Sequence, residues 1–110
     1  MASVRVVEYV DSSDRSPYGR WFEGLNAVAA AKVATALYRL EGGNFSNVKG
    51  VGTGVFEARI DFGPGYRIYF GKDGGTLIVL LGGSSKKDQQ RAISRAIAAW
   101  TAYKRRKRTE

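Results

Sequence analysis

The chain has 110 residues, 44% of them hydrophobic and 12% aromatic, enough for one packed core and too few for two. It contains no cysteine and no histidine, which rules out a disulfide framework and thiolate metal sites and removes the commonest general base together with the commonest metal ligand. The formal charge is +8. The last seven residues, KRRKRTE, hold five of the 18 basic residues and one of the 10 acidic ones, leaving 13 against 9 in the body. A body that is basic without its tail suggests a polyanionic partner, either nucleic acid or an acidic protein segment, and equally fits a protein with a solvated basic tail.

Val4 to Tyr9 is β-rich and is expected to form a first strand, broken by Asp11-Ser12-Ser13-Asp14. Ser16-Pro17 reads as an N-cap followed by proline in the first helical turn, with Tyr18, Trp21 or Phe22, and Leu25 at helical spacing. An alanine-rich second helix is expected from about Asn26 to Leu40, ended by Gly42-Gly43. These two helices are expected to pair as a hairpin over one sheet face. A short strand around Val48 to Val51 follows. The apolar run Thr76 to Leu81 reads as a strand buried on both faces and stopped by Gly82-Gly83. Ser85-Lys86-Lys87-Asp88 fits a capping box opening a last helix with Ile93, Ile97 and Trp100 as its apolar stripe. The order is β-α-α-β-β-β-β-α: one domain over residues 1–103 and a basic tail over 104–110. The tail can extend the last helix, lie along an rRNA backbone or be disordered, with backbone contact or disorder favoured over any catalytic use. No apolar run is long enough to span a bilayer, and MASVRVVEYV carries Arg5 and Glu8 where a secretory leader needs apolar residues, so a cytoplasmic chain is expected.

The stretch from Gly54 to Lys86 reads as one β-hairpin unit and carries the chemistry. Strand alternation places Phe56, Ala58, Ile60 and Phe62 on one face and Glu57, Arg59 and Asp61 on the other. With Gly63-Pro64-Gly65 as the turn, Phe62 is expected opposite Tyr66, which sets Arg67 and Tyr69 beside Asp61 and Arg59. Arginine, tyrosine and carboxylate on one sheet face can hold a phosphate, since the guanidinium fork donates two hydrogen bonds and stays charged. The same charges also read as ordinary cross-strand pairs on a solvated face. Tyr38, Trp21, Tyr66 and Trp100 are read as core or interface residues.

Four ordered blocks resemble the addiction-module killer proteins of the RelE/ParE/HigB superfamily of type II toxin–antitoxin toxins. They are the WF-x-x-L helix, ALYRLEGGNFSNVKGVGTGVFEARI, GPGYRIYF and LLGGSSKKDQQ, together spanning about Val7 to Tyr103. The resemblance implies a small, mainly antiparallel α+β sheet backed by two N-terminal helices, with one further C-terminal helix. It also implies a ribosome-dependent mRNA endonuclease that inhibits translation and is neutralised by a cognate antitoxin, usually a helix-turn-helix protein. A branch of the superfamily poisons DNA gyrase instead, and a binding module that has lost toxicity is a third reading.

Carried onto this chain, the resemblance makes Arg67 and Arg59 the phosphate-binding arginines. Lys49 and Lys86 fall on the basic rim, with Lys87, Arg105 and Arg106 as further nucleic-acid contacts. RNA cleavage without a metal or a cofactor needs a base for the 2′-hydroxyl, charge stabilisation at phosphorus and an acid for the 5′-oxygen. Lys49, Lys86, Tyr69 and Glu57 are the candidates for acid and base, and the sequence does not choose among them. Tyr69 is read as stacking on a base or donating a hydrogen bond. Many nucleolytic members end on a catalytic tyrosine or histidine, for which Tyr103 is the nearest candidate here.

Overall fold

Parallel pairing between the first and last strands sets the architecture. A computed structural model describes residues 4–109, with elements in the order β1 (Arg5–Glu8), α1 (Pro17–Glu23), α2 (Ala27–Glu41), β2 (Val48–Gly52), β3 (Val55–Ile60), β4 (Tyr66–Asp73), β5 (Leu77–Ser85), a 3₁₀ turn (Lys86–Asp88) and α3 (Gln89–Thr109). The N-terminal leader reading rests partly on residues 1–3, and the tail ends at residue 110; both lie outside the described residues.

The sheet order is β1-β5-β4-β3-β2. Strands β2 to β5 form an antiparallel meander, whereas β1 runs parallel to β5, with Arg5 opposite Leu77 and Glu8 opposite Leu80. This corrects the expected fold class. In place of a small, mainly antiparallel RelE/ParE-like sheet, the chain builds a five-stranded mixed sheet with α3 packed on one face and α1–α2 on the other. Turn signals report neighbouring hairpins, whereas parallel pairing needs a long crossover that leaves no local mark. The elements themselves follow one another roughly as expected.

Each face has its own core. Tyr18, Val33 and Leu40 from α1 and α2 pack with Ala58, Ile60, Ile68, Phe70, Ile78 and Leu80. On the opposite face, Ala96 and Trp100 of α3 pack with Tyr9, Val55, Tyr69, Val79 and Leu81. A tryptophan lies flat on a strand glycine on either side. A Cβ on Gly83 would come within 2.2 Å of the Trp21 ring, and one on Gly71 within 2.5 Å of the Trp100 ring. Tyr38, read as core or interface, stands on the surface at 77% exposure.

The caps show which local signals hold. Ser16 accepts from the Gly19 amide and Asn26 from the Ala29 amide, with Pro17 in the first turn of α1. The capping box at Ser85 does not form, because Ser85 is the last residue of β5 and its side chain makes no cap hydrogen bond. Glycines 82 and 83 do not stop β5; they continue it to Ser85. The register slips between Tyr69 and Phe70, where Leu81 is the extra residue between the Tyr69–Gly82 and Phe70–Leu80 pairs. The basic tail is not a separate segment either. Helix α3 continues through Lys104–Arg108, and its end is held by Tyr103 and Lys107 on Asp73 and by Arg106 on the Val10 carbonyl.

Candidate nucleic-acid site

Strands β3 and β4 put Glu57, Arg59, Arg67 and Tyr69 on the face that carries α3. The expected register was two residues out. The observed partners are Glu57–Tyr69, Arg59–Arg67 and Ile60–Tyr66. The connection takes five residues, Asp61 to Gly65, where three were expected. A slip of two equals the side-chain period, so every residue keeps its face while its neighbour changes. Arg67 therefore faces Arg59, and Tyr69 faces Glu57.

Glu57 is the centre of the arrangement, with its side chain only 1% exposed. Gln89, the first residue of α3, donates from Nε2 to Glu57 Oε2 at 2.9 Å. Arg67 Nε lies 3.7 Å and Lys49 Nζ 3.9 Å from Glu57 Oε1. Arg67 is itself buried, and its Nε has no hydrogen-bond partner. A buried guanidinium donor that attracts its carboxylate without bonding it retains hydrogen-bonding capacity for another acceptor.

The turn brings the remaining basic residues in. Gly65 adopts φ +79°, and a Cβ there would stand 3.3 Å from Arg67 Nη1 and 3.7 Å from Lys86 Cβ. The Lys86 amide donates to the Gly65 carbonyl at 2.8 Å, which moors the 3₁₀ turn beside the Arg67 guanidinium. Arg59 is exposed and pairs with the still more exposed Asp61 at 3.4 Å, a contact that solvent leaves weak. A cavity of about 210 Å³ opens among Lys49, Glu57, Arg59 and Arg67, with Ser46 and Asn47 also on its lining.

Tyr69 takes a different place from the one expected. It is completely buried, so it cannot stack on a base. Its hydroxyl shares a 3.1 Å hydrogen bond with Ser84 Oγ. Burial first, and then the neighbouring Glu57 charge, push the phenol up to about 12 against the counteracting pull of Ser84 and Arg67. Tyr69 therefore stays protonated at neutral pH and acts as a hydrogen-bonding support beneath Glu57 and Arg67.

Lys87 lies exposed on the 3₁₀ turn next to Lys86. Arg105 and Arg106 do not join the site, since at 1.5 Å per residue they lie about 25 Å along α3 from Gln89. Arg106 instead donates to the Val10 carbonyl at 2.8 Å and lies over the Tyr9 ring. Tyr103 also sits toward that far end, donating to Asp73 Oδ2 at 2.7 Å. Sequence reading missed Gln89 and Ser84. Both lie in GGSSKKDQQ, and only the register of β5 and the start of α3 bring them to β3 and β4.

Chemically, the arrangement offers Arg67, Arg59 and Lys49 to a phosphate and Glu57 as a proton acceptor or as the anchor of Arg67. Among the described residues, no three carboxylates gather as a metal site would need, and no helix is long and apolar enough to cross a membrane.

No protein-family model matches the chain. It is 41% identical over 80 residues to an uncharacterized protein of Haemophilus influenzae, an alignment covering 72% of this chain and 81% of that protein. The chain belongs to the same family as this Haemophilus protein.

Proposed function

We propose that the chain is the toxin of a toxin–antitoxin module, an mRNA endonuclease that acts at the ribosome in the cytoplasm and is silenced by a cognate antitoxin protein. The resemblance of its sequence blocks to the addiction-module killer proteins supports this reading. The observation that carries it is the buried Arg67–Glu57 pair, whose Arg67 Nε has no hydrogen-bond partner and whose flanks are Lys49 and Arg59. In this reading Arg67 and Arg59 bear the charge that grows on the phosphate, and Glu57 draws the 2′-hydroxyl proton, directly or through water. Tyr69 and Gln89 hold Glu57 and Arg67 in place.

Induced expression in a bacterial host tests it. Growth arrest with cuts in translated messages, both lost in Arg67→Lys and Glu57→Gln variants that still accumulate as folded protein, is the expected result. Arrest with intact messages and failed DNA supercoiling would turn the reading toward gyrase. Unchanged growth together with tight binding of the protein encoded by an adjacent gene would leave a binding module without toxicity.

A further inference from the structure

A second basic surface lies on the other side of the Ser84–Gln89 turn. Two adjoining cavities, of about 460 and 280 Å³, follow the last residues of β5 between α1 and α3. Their floor is the backbone of Gly82 and Gly83, running on to Ser84 and Ser85, and a Cβ on Gly82 would meet nothing within 4 Å. The glycine at this position keeps the floor open.

The walls are cationic. Arg20 stands on α1, and Arg91 and Arg95 stand one turn apart on the same side of α3. All three are exposed, and among the described residues none makes an ion pair. The one carboxylate on the lining is Asp88. Trp21 and Tyr66 add aromatic wall, with ring centroids 6.3 Å apart.

The groove neighbours the site described above through buried residues of β4 and β5. Ser84, on the groove floor, bonds Tyr69 and pairs in register with Arg67, while Tyr66, on its wall, directly precedes Arg67. We infer that this groove is a track for single-stranded RNA, in which Arg20, Arg91 and Arg95 take the phosphates flanking the one held at Arg67. Unpaired guanidinium forks beside aromatic rings, over a floor left open at Gly82, suit a flexible phosphodiester chain. An acidic polypeptide would share the charge complementarity but gives no reason for the groove floor at Ser84 to be the strand partner of Arg67, so RNA is the occupant favoured here. The inference rests on the reading of RNA as substrate, and it adds the residues that hold the strand outside the reacting phosphate.

The test is fluorescence anisotropy with a labelled 12-nucleotide single-stranded RNA on the full chain, in wild type and Arg67→Ala backgrounds, over a salt series. The triple variant Arg20→Gln, Arg91→Gln, Arg95→Gln is compared with Lys104→Gln, Arg105→Gln, Arg108→Gln, which removes equal charge from the far end of α3. All six positions are exposed, and circular dichroism checks folding. The groove variant is expected to bind at least about tenfold more weakly, with its log–log salt slope shallower by about 2, as expected when three phosphate contacts of about 0.7 each are lost. The control is expected to lose less than about threefold.

Equal losses in the two variants, or no loss in the groove variant, would overturn the track. So would a wild type that binds no RNA, including one that instead binds a Glu/Asp-rich peptide through these arginines. Message cleavage is scored separately in the expression assay. A chain that cuts RNA through Arg67 while the groove variant binds normally would sink the track and leave the proposed function standing.

Discussion

Glu57 and Arg67 form a buried pair whose two members should be far more costly to remove singly than together. In Arg67→Met, a carboxylate 1% exposed loses its buried cation and keeps the Gln89 hydrogen bond, the neighbouring Tyr69 hydroxyl and the exposed Lys49 at 3.9 Å. Breaking a buried pair in this way costs about 3–5 kcal/mol. The remaining Gln89 contact and the cavity beside Lys49 argue for the lower end, about 3 kcal/mol. Replacing both, as Glu57→Gln with Arg67→Met, leaves an amide that can still meet Gln89, and no buried charge; such replacements are typically neutral or stabilising. Urea unfolding of the two single variants, the double variant and wild type measures this. With a slope of about 1–3 kcal/mol per molar, the Arg67→Met midpoint should fall by about 1–3 M, and the double variant should recover most of it. The double variant is also expected to be inactive in the expression assay despite its restored stability. An Arg67→Met loss below about 1 kcal/mol, or a double variant no more stable than Arg67→Met alone, would refute the argument that the buried charge pair dominates here.

Three further outcomes follow from the same geometry. Gly71→Ala and Gly83→Ala each force a methyl to within 2.5 Å of a tryptophan ring and should lower stability by about 1–3 kcal/mol, read as a fall in thermal midpoint, whereas Gly75→Ala, with nothing within 4 Å, should cost much less. The Asp73 carboxyl is held below its ordinary range first by Lys107 and then by Tyr103. Its stabilising contribution is therefore present above the unfolded carboxylate range and is lost as pH falls through its depressed value. Thermal midpoints between pH 2 and 5 should drop more steeply for wild type than for Asp73→Asn. Tyr18 and Tyr69, both pushed up to about 12 chiefly by burial, should ionise only near that pH in an ultraviolet titration. Their raised values contribute stability below pH 10 that disappears as pH climbs from about 10 to about 12.

Features set by neighbouring residues were legible in the sequence. Ser16-Pro17 announced α1 through its cap, and the alternation of β3 and β4 assigned each side chain to its face, because both signals act over a few positions. What depended on pairing was not. The five-residue turn displaced the register by two, so Arg67 met Arg59 where Asp61 was expected. The Gly82-Gly83 pair read as a stop, but its strand continues beneath Trp21, a contact from α1 that no local rule reports. The KRRKR run left extension of the last helix as only one of three readings because its charge resembles disorder, yet Asp73 and the Val10 carbonyl anchor it as helix. The site followed the same division. Arg67, Arg59 and Glu57 announced themselves by residue type, whereas Gln89 and Ser84 are polar residues of ordinary appearance that the end of β5 delivers to the carboxylate and the phenol.

The parallel bond between β1 and β5 also has a consequence for how the molecule is born. Residue 5 finds its partner only at residue 77, and closing so long a loop is entropically costly and slow compared with forming the hairpins in between. A nascent chain can therefore assemble α1, α2 and the β2–β4 meander, but it cannot seat its first strand, support Tyr69 with Ser84 or bond Glu57 to Gln89 until nearly all of it has emerged. The ion pair thus gains its full support only in the last stretch of synthesis, and truncation before Gln89 should yield a partly ordered chain without an assembled site.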